Sequence, residues 1–385
     1  MIRFLDTTFR EGRQSHLGYL LSGNLHRYFI QLEKMGINYI EISNPFLSTS
    51  LLEEFKSIIN RNSTMSVAVH SPLDLDFLKK LLDINIKCFH FSIKQSDKPN
   101  NIETTCSNIN IGEITQYLSD NNIDDVSLKI GLENAFSVEY NVLSSFFHTI
   151  LSRNQIDKIS LSDSNGSTHP DQILDTLRKL DKEISMSIAI GIHLHNDTGL
   201  AAMTFNNIYN FFKNSKREII VDISMGGIGE RNGILSYGDV MALLYKEDNK
   251  RYLKNFNFQE YKKIYLLLFS RTSFNRDPIN PYAFSHSSGL HINQSLNTPM
   301  GNKNNLNNRY LPFKSEDFGF KTKYVYNETL NKETIISIAI NELKISLQPN
   351  IALQVCQDLR NIVASKKRNL TIGTIKSIIL KYNNQ

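Results

Sequence analysis

The side chains best placed to do chemistry fall in two short stretches far apart in the chain. One is His193-Leu194-His195-Asn196-Asp197, which ends an apolar run that begins at Ile188. If the run is a strand, its side chains alternate between two faces, and His193 and His195 point to the same side. The other is Asp6-Thr7-Thr8-Phe9-Arg10-Glu11-Gly12-Arg13-Gln14, which ends the first apolar run and sets a cation beside a carboxylate at Arg10 and Glu11. Two imidazoles and one carboxylate can converge on a single divalent ion and leave coordination positions open. That donor set suits Zn²⁺, Mn²⁺, Co²⁺ or Mg²⁺ without choosing among them. Histidines two apart on a strand also occur as hydrogen-bonded core or surface residues, so the metal reading requires a fold that brings Glu11 to the pair.

Short β-rich apolar runs recur at 2–7, 39–43, 65–70, 88–93, 126–132, 158–162, 188–195 and 219–224. Between them, 24–35, 73–82, 137–151, 170–180 and 200–212 carry apolar spacing that suits one buried helix face. Eight strand–helix alternations are the arithmetic of an α/β (β/α)8 TIM barrel, whose active site lies at the C-terminal ends of the strands. An open doubly wound sheet would call for a glycine-rich phosphate turn after the first strand, and none is present. In a closed barrel strands one, eight and seven are consecutive, so Glu11 meets the histidine pair. Beyond the barrel, 252–272 is expected to be helical. The stretch 275–311, rich in Asn, Pro, Ser and Gly and close to low complexity at 301–308, is expected to be a loop region or linker. Helical patterning returns at 332–343, 350–365 and 371–382. These readings divide the chain into a barrel over 1–250, a linker and subdomain with a substrate-covering loop over 251–325, and a small helical C-terminal region over 326–385.

With 385 residues, 41% hydrophobic and 21% charged, the composition is that of a globular protein and excludes disordered or fibrous classes. The net charge of +5 is thinly spread, with short clusters such as Lys366, Lys367 and Arg368, and argues against a nucleic-acid partner. It suits an anionic small molecule, although solubility alone accounts for it. Cys88, Cys106 and Cys356 are far apart and form no CxxC pair, which points away from zinc knuckles and disulfides and fits a reducing cytosol. The first residues, Met1-Ile2-Arg3-Phe4-Leu5-Asp6, lack the apolar run of a signal peptide, and no stretch approaches ~18 apolar residues. The expectation is a cytoplasmic protein with no membrane partner.

Together with Gly227-Ile228-Gly229-Glu230-Arg231-Asn232-Gly233-Ile234, the two stretches resemble the homocitrate synthase and isopropylmalate synthase family of metal-dependent acyl transferases. The resemblance runs from the first strand to beyond Tyr324 and is nearest to the homocitrate synthases, since isopropylmalate-type members carry Asn where this chain has Ile234. It implies condensation of acetyl-CoA, as co-substrate, with a 2-oxo acid, 2-oxoglutarate giving homocitrate being the first expectation. It further implies that Glu11, His193 and His195 hold a divalent metal cation. Arg10 would face the oxygen that develops negative charge, the alternative being a rim salt bridge with Glu11. In Phe284-Ser285-His286-Ser287-Ser288-Gly289-Leu290-His291, the resemblance makes His291 the base or proton shuttle and Tyr324 its companion, with His286 structural. His70 would contact substrate or cap the helix after Ser71-Pro72, and Glu133 would be a pocket carboxylate or an exposed strand end. Gln14 would order the metal site through a hydrogen bond, while Glu230 and Arg231 form a structural ion pair or take part in catalysis. A homodimer with its C-terminal region exchanged is implied as well.

The chain departs from the family pattern where homocitrate synthases hold the distal carboxylate. Lys129, Gly131 and Ser164 stand in place of Arg, Ser and Thr, so the bidentate fork and one hydroxyl are lost. His90 and Gly191 replace acids expected in a lysine feedback site, and the length leaves no room for a long regulatory domain, so neither lysine nor leucine control is expected. Two other readings stand beside the acyl transferase: a lyase or aldolase running the same metal chemistry in the cleavage direction, and a catalytically silent paralogue that binds a carboxylate.

Overall fold

The computed structural model describes residues 1–15, 17, 21, 23–60, 65–93, 111–152, 155–246, 256–270, 272, 277–297, 315–366 and 368–383. Cys106 and the near-repetitive 301–308 stretch lie outside the described residues. The chain divides into two compact units, Met1–Ile279 and Asn280–Gln385. The 251–325 segment expected to link barrel and tail is therefore shared between them.

The first unit is a closed parallel barrel of eight strands, β1 (Ile2–Asp6), β2 (Tyr39–Ile42), β3 (Ser66–Ser71), β4 (Cys88–Ile93), β5 (Ser127–Leu132), β6 (Ile156–Asp163), β7 (Ala189–Leu194) and β8 (Ile219–Ile223). Each occupies one of the eight runs read from the sequence. Closure comes from β1 against β8, with Ile2 opposite Ile219 and Asp6 opposite Ile223. Strand alternation then sorts the residues. Ile40, Val69, Phe89, Ile130, Ile159, Ile192 and Val221 are fully or almost fully buried and furnish apolar surface for packing. Leu5, Tyr39, Ala68, Ala189 and Ile220 form one small buried cluster across the barrel. Further along the strands, the same parity brings up Glu41, His70, His90, Lys129, Gly191, His193 and Asp222. The upper interior is thus polar, which a barrel tolerates only where those groups pair with one another or with a ligand.

The surrounding helices begin and end on local signals. Asp74 accepts from the Phe77 N–H at 2.7 Å to start Leu75–Asp83, and Pro170 opens Pro170–Glu183. Gly36, at φ 91°, closes Leu25–Met35 in the left-handed conformation. Of the helix expected over 252–272, positions 252–255 and 271 lie outside the described residues. A 3-10 turn, Phe258–Glu260, where the Asn257 side chain accepts from the Gln259 N–H, precedes an α-helix over Tyr261–Phe269.

The second unit contains two short parallel strands, β9 (Ser285–His286) and β10 (Lys323–Tyr324), and helices Gly289–Asn297, Lys332–Ile338, Pro349–Lys366 and Ile372–Asn383. Its core includes Ile292, Leu330, Ile335, Ile338, Val355, Leu359, Ile375 and Ile379. Helix Gly289–Asn297 corrects the reading of 275–311 as loop. Its sequence is polar and its stability is tertiary: Ile292 is buried, and Thr329 accepts from the Gly289 N–H at 3.0 Å. A β-carbon at Gly289 would lie 2.3 Å from the Thr329 carbonyl oxygen, which explains the glycine. Among the described residues no helix is long and apolar enough to cross a membrane.

Candidate active site

Glu11, on the short helix Thr8–Arg13 after β1, meets His193 near the end of β7 and His195 just past it, and the potential ligand atoms of all three lie within 4.8 Å of one another. His193 Nε2 is 3.3 Å from both Glu11 Oε1 and His195 Nε2. Its other nitrogen is taken: Nδ1 lies 3.1 Å from Asp222 Oδ2 on β8, so the Nδ1–H donates to that carboxylate. A histidine held this way presents Nε2 as a lone-pair donor, the arrangement that orients metal-binding imidazoles. Glu11 Oε2 is buried without a hydrogen-bond partner among the described residues. Two facing imidazole nitrogens and an unsatisfied carboxylate oxygen make a donor set that fits one divalent cation.

Electrostatics agree with a site built for positive charge. Burial alone would raise the Glu11 carboxyl, but Arg10 and the two imidazoles hold it below the usual carboxylate range. Burial, together with His193, holds His195 down to about 4, so its ring is neutral at pH 7. For His193 burial works downward, yet the hydrogen bonds to Asp222 and Glu11 outweigh it and raise the ring's basicity.

The loop after β8 fastens the trio. Ile234 bridges to His195, the Asn196 N–H donates to the Gly233 carbonyl at 2.9 Å, and the Leu235 N–H donates to the Leu194 carbonyl at 3.0 Å. Gly233, at φ 78°, permits this, since a β-carbon there would fall 1.8 Å from the Gly227 carbonyl oxygen. Arg231 reaches Asp197 through two bonds of 3.0 Å and lies 3.5 Å from Glu230, so the ion pair considered from sequence exists and Asp197 joins it. Ile234 is buried behind His195.

The trio opens on a cavity of about 640 Å³, lined also by Arg10, Gln14, Glu41, His70, Lys129, Glu133, Ser164 and Asp222. The barrel residues expected from the sequence to hold metal or contact substrate therefore border one space. Arg10 forms the salt bridge with Glu11 that the sequence offered, donates through Nε to Glu41 Oε1 at 2.8 Å, and borders the cavity. Gln14 sits exposed at the rim. The Ser164 hydroxyl accepts from the Asn134 N–H at 2.9 Å, while His70 Nε2 lies 2.8 Å from the Ser92 hydroxyl. Glu41 and Asp222, which sequence reasoning passed over, prove central. Glu41 takes Arg10 on one oxygen, and His90 and Lys129 on the other, the Lys129 ammonium at 3.4 Å.

His291 and Tyr324 belong to the second unit. Their rings flank His286, which stacks on Tyr324 with centroids 6.1 Å apart and meets His291 edge-on at 6.2 Å. Tyr324 also hydrogen-bonds Ser295 at 3.0 Å. His286, read from sequence as structural, is buried, and its Nε2 has no hydrogen-bond partner among the described residues.

Comparison with known proteins agrees with this geometry. The cytosolic homocitrate synthase isozyme of Saccharomyces cerevisiae is 23% identical over 99% of this chain and 86% of its own length. The homocitrate synthase of Pyrococcus abyssi is 24% identical over 86% and 88%, and the 2-isopropylmalate synthase of Saccharolobus solfataricus 23% over 83% and 80%. Among solved structures, the hydroxymethylglutaryl-CoA lyase of Pseudomonas aeruginosa shares the fold, with a TM-score of 0.53 at 15% identity, covering 71% of this chain and 95% of that one. The HMGL-like family matches residues 1–266, which take in every strand of the barrel and the whole of its polar cavity, and the chain belongs to that family.

Proposed function

We propose that the protein is a metal-dependent acyltransferase that joins the acetyl group of acetyl-CoA to a 2-oxo acid and then releases CoA by hydrolysis of the thioester. The observation that carries this reading is the convergence of Glu11, His193 and His195 at the wall of a polar cavity, with Arg10 alongside. Relatives named homocitrate synthase and 2-isopropylmalate synthase over most of the chain support it.

A divalent ion held by the trio would supply Lewis acidity to the carbonyl of the oxo acid. The protein's own part is to place and neutralise. Asp222 fixes the His193 ring, Glu41 holds the Arg10 guanidinium, and Arg10 is assigned to stabilising an alkoxide as the carbon–carbon bond forms. His70, Gln14, Glu133, Lys129 and Ser164 border the space for the acid. His291 and Tyr324 are assigned to moving the proton from the acetyl methyl group, a task for a positioned base. We assign the protein to the cytoplasm as a homodimer whose C-terminal regions are exchanged. The resemblance makes 2-oxoglutarate, and so homocitrate, the first pair to assay.

Free CoA release, followed as thiol with a panel of 2-oxo acids with and without chelator, tests the reading. Chelator-sensitive release is expected. Cleavage of a hydroxyacyl-CoA without condensation would establish the lyase instead, and bound metal with no turnover would establish a carboxylate-binding paralogue.

A further inference from the structure

The most deeply buried charges of the cavity are already spent on one another. Three carboxylates, Glu11, Glu41 and Asp222, are exposed by 2% or less and face two cations, Arg10 and Lys129. Arg10 is engaged by Glu11 and Glu41. Lys129 lies 3.4 Å from Glu41 and 3.9 Å from Asp222, and the residue is 5% exposed. Drawing it away to meet a ligand would leave Glu41 short of a partner in a buried place, a costly exchange. Counted over these five groups alone, a divalent ion at the trio would turn the single surplus negative charge into a single surplus positive one, which the one carboxylate of a 2-oxo monoacid cancels. Arg231, the remaining cation on the described lining, is held by Asp197 and Glu230, so a second carboxylate would meet no uncommitted cation among the described residues, and Glu133 on the same lining adds repulsion.

Apart from His90 and Lys129, both held by Glu41, strands β3 to β6 line the cavity with uncharged groups where a tail would lie. His70 and Ser92 hydrogen-bond to each other, and Ser160 and Ser162 offer hydroxyls. Burial, with the Arg10 charge next in effect, holds the His70 ring down to about 4 and therefore uncharged at pH 7. A β-carbon at Gly131 would have its nearest neighbours at 3.5–3.6 Å, the Phe91 carbonyl oxygen, Ser160 Cβ and the Ser92 hydroxyl, so the glycine leaves a methyl-sized space. Hydroxyls and an uncharged imidazole suit a neutral tail and give a carboxylate no ionic partner.

We infer that the oxo acid accepted by this cavity is a 2-oxo monocarboxylate with an uncharged tail, and that a second, distal carboxylate is rejected. The inference rests on the condensation reading for where the acid's first carboxylate and keto oxygen sit.

Calorimetric binding of pyruvate, 2-oxobutyrate and 2-oxoglutarate to the Mn²⁺-loaded full chain, set beside kcat/KM for CoA release, provides the test. Either monoacid should exceed 2-oxoglutarate by about 100-fold in affinity and in kcat/KM, the scale of one unmatched buried charge. Equal or better use of 2-oxoglutarate overturns the inference. Monoacid-selective binding without CoA release would overturn the condensation reading and leave the selectivity standing, whereas binding of none of the three overturns both. Glu41→Gln should free Lys129 and move the affinity ratio toward 2-oxoglutarate by about tenfold. An unchanged ratio in a folded variant would refute the charge pairing as its cause.

Discussion

Glu11 faces two imidazoles and a guanidinium with one oxygen engaged and the other without a hydrogen-bond partner among the described residues. Glu11→Gln keeps the side chain's shape and withdraws its charge, so both metal content, read by elemental analysis, and condensation should be lost. His193→Ala should do the same, and a variant retaining full metal and full rate would remove the assignment. Asp222→Asn is subtler, because it only loosens the hold on His193 Nδ1. Chelator competition should show an affinity loss of about 10- to 100-fold, the range seen when an outer partner of a ligand is removed. These residues were not equally legible. Arg10, Glu11, His193 and His195 announce themselves by spacing and by position at strand ends. Glu41 and Asp222 each stand alone in an apolar strand, Tyr39-Ile40-Glu41-Ile42 and Ile219–Ile223, with no second polar residue to form a pattern. Parity was the available signal, since Glu41 shares a face with Tyr39, and Asp222 with Ile220.

The eight strands were readable because each is a short apolar run bounded by turn residues, and the structure moves their ends by only a residue or two. What escaped were pieces stabilised by distant partners, such as helix Gly289–Asn297, whose first turn is fixed by Thr329. The loop after β8 shows how an element can set a site through its backbone. Gly233→Ala would drive a methyl group toward the Gly227 carbonyl at a backbone angle that L-residues resist. It should destabilise the barrel by about 1–3 kcal/mol in denaturant titration and weaken metal binding through His195. Helix Tyr261–Phe269 carries a pH effect of its own. Burial, aided by Asp239 and opposed by the Tyr261 hydroxyl, raises Asp277 from 3.8 to about 7. The folded state therefore binds this proton more tightly than the unfolded chain, so the associated stability is full below pH 3.8 and is lost as pH rises through 7. Asp277→Asn should flatten that part of the melting-temperature profile, and an unaltered slope would contradict the shift.

Two compact units place the metal trio in one and the His291–His286–Tyr324 ring cluster in the other. Substitutions should separate accordingly: His291→Ala should spare metal occupancy and slow CoA release. If the C-terminal regions are exchanged in a dimer, mixing His291→Ala with Glu11→Gln protein should restore activity, and sedimentation should give twice the chain mass. Length and alternation predicted the barrel and a helical tail, and the unit boundary at Ile279 falls where the Asn-, Pro-, Ser- and Gly-rich stretch begins. One acid, Glu41, links Arg10 after β1 with His90 on β4 and Lys129 on β5. Ends of the barrel that never meet along the backbone are thereby joined in a single thermodynamic account. Losses from Arg10→Ala and Lys129→Ala should not sum, the double variant deviating by about 0.5 kcal/mol or more. Lineages that retune this cavity would then have to change its members together, since each cation sets what the other is worth.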